Sequence, residues 1–167
     1  HNRREPRLEI LRQILMKKLQ IAAISLFSLA LALPLGADEK PKRQPSAKGA
    51  KVYIISPKNG KTVKSGKVKV VFGLSGMGIC PATLAGPDGK PIPYTGHHHL
   101  LLNAKEMPPM NAPLAASPSL LHFGKGQSET TLELKPGTHT LQLVFADWLH
   151  IPHDPPLISK KVTITVK

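Results

Sequence analysis

A chain of 167 residues with a formal charge of +13 has room for one domain and little more. Seventeen prolines and 13 glycines exclude an architecture of long helices, and the scarcity of aromatic residues leaves the core to Val, Leu and Ile. That scarcity also excludes a nucleic-acid surface: beyond residue 37 only Trp148, Tyr53 and Tyr94 join the phenylalanines, and no aromatic platform lies among the lysines.

Residues 1–15 (HNRREPRLEILRQIL) precede Met16 and are read as an upstream extension without a fold of its own. Met16-Lys17-Lys18 places two positive charges before an apolar run from Ile21 to Leu33, followed by Pro34 and Gly36-Ala37. The run is short of the roughly 20 residues that span a bilayer comfortably. Positive start, short apolar middle and small terminal residue predict a helical signal peptide over 16–37, cut after Ala37. Leu35 is a less usual residue three places before such a cut, and a retained N-terminal anchor is the alternative. No Cys follows the run to carry a lipid. The expectation is a periplasmic or secreted protein that meets the membrane only through its leader before cleavage. Residues 38–51 are charged and carry Pro41, Pro45, Ser46 and Gly49, a composition that predicts a disordered basic linker.

The domain is expected over 52–167. Val52–Ile55 reads as a strand, and Pro57-Lys58-Asn59-Gly60 as a turn in which Asn-Gly accepts positive φ. Val68, Val70, Phe72 and Leu74 recur with period two, the mark of a strand with one buried face. Residues 76–94, with four prolines, read as loop. His97–Leu102 is a short strand and Met107–Pro118 a second Pro-rich loop. Period two returns at Thr130–Leu134, His139–Phe145 and Val162–Val166. No sustained helical period follows residue 40. Six or seven short strands separated by turns predict an all-β fold, an immunoglobulin-like β-sandwich, with a closed barrel as the alternative.

Seven of the eight histidines fall in this domain: His97, His98, His99, His122, His139, His150 and His153. Strand alternation puts His97 and His99 on one face and His98 on the other, where its parity with Leu100 and Leu102 points it inward. His150 and His153 lie in Trp148-Leu149-His150-Ile151-Pro152-His153-Asp154-Pro155-Pro156, whose prolines exclude a helix and predict a shaped loop. A strand from His139 to Phe145 advances roughly 20 Å, so His139 belongs at the far end and is excluded. His122 lies in a connecting segment that reaches either end. The candidate metal ligands are therefore His97, His98, His99, His122, His150 and His153, with Asp154 as a ligand or as the orienting partner of a histidine. Imidazoles suit copper, zinc and nickel, and copper or zinc is expected. Met107 and Met110 are soft donors that more simply fill gaps. The competing reading is that the histidines hydrogen-bond the loops to one another and to backbone carbonyls.

Other motifs fail. Gly60-Lys61-Thr62 has Ile55 where a phosphate-binding loop needs Gly. Gly73-Leu74-Ser75-Gly76-Met77 lacks the last Gly of a nucleophile elbow. A His–Asp pair with Ser159 suggests hydrolysis, but nothing specifies an oxyanion hole. Cys80, the lone cysteine, excludes an internal disulfide and reads as a packed side chain.

Val52–Gly60, Phe72-Gly73-Leu74-Ser75-Gly76-Met77-Gly78, Gly96-His97-His98-His99-Leu100-Leu101, His122-Phe123-Gly124 and His150-Ile151-Pro152-His153-Asp154-Pro155-Pro156 together resemble domain-of-unknown-function family 4399, over roughly residues 52–166. The segment Ile79–Tyr94 is longer than that pattern leads one to expect. The resemblance implies an exported, stand-alone bacterial domain with a His-rich signature, and no activity to transfer. The functional expectation is a non-enzymatic domain whose partner is a metal ion, copper or zinc. The alternative is a structural or interaction module that binds an envelope component through its basic surface.

Overall fold

The computed structural model describes residues 42–167; the expected signal peptide and upstream extension lie outside them. Every regular element among the described residues is a strand. The strands are β1 (Lys51–Ser56), β2 (Thr62–Val63), β3 (Lys67–Ser75), β4 (Gly78–Ile79), β5 (Thr95–Leu102), β6 (Leu120–Phe123), β7 (Glu129–Glu133), β8 (Gly137–Ala146), β9 (Pro152–Ile158) and β10 (Val162–Val166).

Two sheets form. The smaller has the order β1-β3-β7, all antiparallel. The larger runs β2-β10-β8-β5-β4, with β6 also on β5 and β9 also on β8. The period-two segments read from the sequence become β3, β7, β8 and β10. Val68, Val70 and Phe72 from one sheet and Leu100, Leu141, Leu143, Phe145 and Ile164 from the other belong to a single buried cluster. Their neighbours Lys67 and Lys69 face water, as strand alternation requires.

The segment Trp148–Pro156, expected as a loop, is a loop only to Ile151. Pro152–Ile158 is strand β9, which pairs with β8 through Ile158↔Val144, Leu157↔Phe145 and Pro152↔Ala146. The register break between the last two pairs leaves His153–Pro156 bulged. Prolines are tolerated there because β9 needs ladder bonds on few of its residues. Of the stretch expected as linker, residues 42–51 are described; Lys51 already belongs to β1, and part of the rest is tied to the bulge. Ser46 N–H donates to the Asp154 carbonyl (3.0 Å), and Asp154 N–H donates to the Gln44 carbonyl (2.8 Å). Arg43 donates to the carbonyls of Pro152 and His153 and ion-pairs with Asp154.

β5 positions the site. It is flanked by β8 on one edge and by β6 and β4 on the other. Gly96 through Leu101 are all buried. Its inward side meets the main core. Its outward side continues into a second apolar cluster of Leu101, Leu114, Leu120, Val144 and Ala146, to which the 103–119 loop contributes Leu114. A strand covered on both faces shows no polar alternation, which is why Gly-His-His-His-Leu-Leu-Leu carries no period-two signal of hydrophobicity.

Candidate metal centre

His97 and His99 project from the outward face of β5. His99 is paired with His122 of β6, so these two side chains share that face. His150 reaches the same place from the β8–β9 turn. The four rings form one cluster. His97 is 4.8 Å from His99, 5.0 Å from His122 and 4.9 Å from His150, centroid to centroid. His122 and His150 are 4.7 Å apart. His99 is 5.1 Å from His122 and 5.9 Å from His150. One ring nitrogen from each of His97, His122 and His150 lies within 4.8 Å of the other two.

Two residues that sequence reasoning passed over shape this cluster. Asp147, buried at the end of β8, folds the turn beneath His150. Its Oδ1 accepts the N–H groups of Leu149 and Ile151, both at 2.9 Å. Its carbonyl accepts from His150 N–H, and its own N–H donates to the Ile151 carbonyl. His150 is thereby held at φ 66°, a left-handed conformation that costs a residue with a Cβ about 1–2 kcal/mol. Its carbonyl is fixed from the other side by Leu114 N–H at 2.9 Å. The signal available in the sequence was an Asp at a strand end that can accept from backbone two residues on. The second residue is Gly124. A Cβ there would collide with the imidazole of His122, so the absence of a side chain lets that ring lie against the strand end.

His98, His153 and Asp154 do not join the cluster. His98 points into the core between Phe72 (5.1 Å) and Phe145 (5.2 Å), the inward orientation that its parity with Leu100 predicts. His153 stacks on Phe145, and its Nε2 is 3.1 Å from the Thr95 carbonyl. Asp154 is exposed and pairs with Arg43 at 3.2 Å. The physical reason is the bulge in β9, which carries His153 and Asp154 away from the turn that presents His150. His139 sits apart, bonded to Asn103 and to the Lys135 carbonyl. Met107 is exposed, and Met110 packs on the second apolar cluster. Ser159, the hydroxyl a hydrolytic reading would use, is committed to Leu143 N–H and the Lys160 carbonyl. Cys80 is buried, with its sulfur near the Pro81 and Leu84 carbonyls.

Electrostatics keep the inner rings neutral at pH 7. Burial, reinforced by neighbouring imidazoles, lowers His97 to about 3 and His99 to about 2. His122 is lowered by burial and then by His150. Both nitrogens of His97 and both of His99 are buried without any hydrogen-bond partner in the protein. A buried polar atom left unpaired costs about 1–3 kcal/mol. Imidazoles converging from three separate elements, with the two on β5 neutral and without hydrogen-bond partners, are what a transition metal requires.

The family model for a domain of unknown function, DUF4399, matches residues 70–167. No curated protein matches the chain.

Proposed function

The chain belongs to the DUF4399 family, whose description assigns no chemistry, and from the geometry of its histidines we propose that it is an exported, non-enzymatic domain that binds copper or zinc. The ligands are His97, His122 and His150, with His99 beside them. One observation carries this reading. Histidines that merely tie loops together hydrogen-bond to backbone or side chains, as His139 and His153 do. His97 and His99 have no such partner; His98 also lacks one, but it stands alone between Phe72 and Phe145, whereas His97 and His99 face the other imidazoles.

The spacing suits the metal. Tetrahedral ligation at 2.0–2.1 Å sets nitrogens about 3.3 Å apart, so a set within 4.8 Å closes by movements of about 1.5 Å or less. His122 is exposed and His150 half-buried, which gives both rings room to move. Export follows from the Lys17-Lys18 and Ile21–Leu33 pattern, and periplasmic or secreted copper or zinc is the metal supply such a site meets. The two sheets around one core are read as an immunoglobulin-like sandwich.

The test is elemental analysis of the purified full chain, then Cu(II) and Zn(II) titration after EDTA treatment. One tightly held ion is expected, lost in His150→Ala and retained in His98→Leu. Binding no tighter than about 100 µM (roughly −5.5 kcal/mol) would sink the reading.

A second reading has its own observation. Lys58, Lys61, Lys67 and Lys69 line one surface groove, and of these Lys69 pairs with Glu129. That surface suits an anionic envelope component. Association of this kind weakens steeply with salt, whereas ligation at the histidines does not.

A further inference from the structure

The histidine centre brings no negative charge to a metal. Imidazole is a neutral ligand. Among the described residues, none within the span of its nitrogens is an Asp, Glu or Cys. The nearby carboxylate in sequence, Asp147, holds two backbone N–H groups on Oδ1. Asp154 is turned to solvent and held by Arg43. Cys80 is buried with its sulfur near the Pro81 and Leu84 carbonyls and is not among the converging groups. The chain as a whole carries +13.

A divalent ion here would therefore keep its full charge at a site whose inner two rings, His97 and His99, are fully buried. An uncompensated charge held partly out of water is costly, and the cost falls when an anion accompanies it. The site is also one-sided. His97 and His99 form its floor on β5, whereas His122 is exposed and His150 half-buried. Three ligand nitrogens occupy three positions of a tetrahedron, and His99, 5.9 Å from His150, lies at the floor. With His97, His122 and His150 as the ligands, the fourth position would face the solvent side between the exposed His122 and the half-buried His150. An open position on a three-histidine metal is where an outside ligand binds.

We propose that the metal-loaded centre binds one small monodentate anion, inorganic or carboxylate, on its solvent side beside His122 and His150. This rests on the metal reading above. The anion coordinates the metal as a Lewis base; no electron transfer or covalent rearrangement of the protein is involved.

The experiment uses the full chain loaded with one Cu(II) and freed of excess copper. Sodium azide is titrated at constant ionic strength, with the near-ultraviolet charge-transfer absorption and the electron paramagnetic resonance spectrum as readouts. The expected result is a saturable azide band at one azide per copper, a changed copper spectrum, and displacement of azide by excess acetate. A His97→Gln/His150→Gln variant controls for copper held at the surface and is expected to lose both copper and band. Copper that binds yet ignores a large excess of azide overturns the anion proposal and leaves the metal reading standing. An azide band that survives in the double variant also overturns it. A chain that takes up no copper overturns both.

Discussion

Lowering the pH of the metal-free protein from 7 to 5 should remove about 6 kcal/mol of folding free energy through His97, His98 and His99 alone. All three are fully buried. Burial is the chief cause that drives them down, to about 3, 4 and 2 respectively. In an unfolded chain the same side chains titrate near 6.5. Below that pH the unfolded state binds protons that the folded state refuses until its own, lower values are reached. Stability is thus complete above pH 6.5 and is lost progressively as the pH falls toward the folded values. At pH 5 each group lies about 1.5 units below its unfolded value, worth about 2 kcal/mol at 1.36 kcal/mol per unit. Folded values between 2 and 4 all lie beneath pH 5, so the sum hardly depends on which applies. Against a typical stability of about 5–15 kcal/mol the loss is large. The assay is urea denaturation of EDTA-treated protein at pH 7, 6 and 5, followed by the fluorescence of Trp148, the sole tryptophan. His98→Leu removes one titrating group from the core without touching the cluster, and should recover about 2 kcal/mol of the loss. A loss below about 2 kcal/mol between pH 7 and 5 in the unmodified protein would refute the claim that three imidazoles are buried uncharged.

Asp147→Ala frees the turn under His150 and should weaken metal binding about 10–100-fold, as loss of an orienting partner does; Asp147→Asn, which keeps an oxygen acceptor for Leu149 and Ile151, should weaken it less, and calorimetric titration compares the two. Gly124→Ala sets a Cβ against the His122 ring and should lower metal affinity while leaving the melting temperature of the metal-free protein nearly unchanged; equal affinity would mean that ring placement is immaterial. Arg43→Ala deletes the charge-assisted bonds to the Pro152 and His153 carbonyls and should cost about 2 kcal/mol in urea denaturation with unchanged metal affinity. His139→Ala should leave metal stoichiometry unchanged, because that ring is engaged by Asn103 and Lys135.

Much of the fold could be read directly because period two survives wherever one strand face meets water. Lys67 and Lys69 alternate with Val68 and Val70, and the strand is plain. It was obscured where both faces are covered or prolines intervene. β5 lacks a hydrophobic alternation, and β9 contains Pro152, Pro155 and Pro156, residues that ordinarily argue against a strand. For the histidines, parity was enough to separate His97 and His99 from His98, and strand length was enough to set His139 apart. Distinguishing His150 from His153 required the register break between Phe145 and Ala146, which no local pattern announces. The roles of Asp147 and Gly124 are conformational. Asp147 bonds its own turn, Leu149 to Ile151, and Gly124 makes room for a ring two residues away, so the contacts are local, but their bearing on the cluster shows only once β5 and β6 are paired.

β5 carries one further consequence. Its histidines alternate, two outward and one inward, between ladders on both edges. Sliding the strand by one residue would exchange the faces, sending His97 and His99 into the apolar interior and leaving His98 alone outside. The misaligned chain would bury two imidazoles where Phe72 and Phe145 now hold one, and could not assemble the ligand set. On the metal reading proposed above, only the correctly threaded strand presents the ligands, so an ion that binds them would draw the population away from slipped pairings.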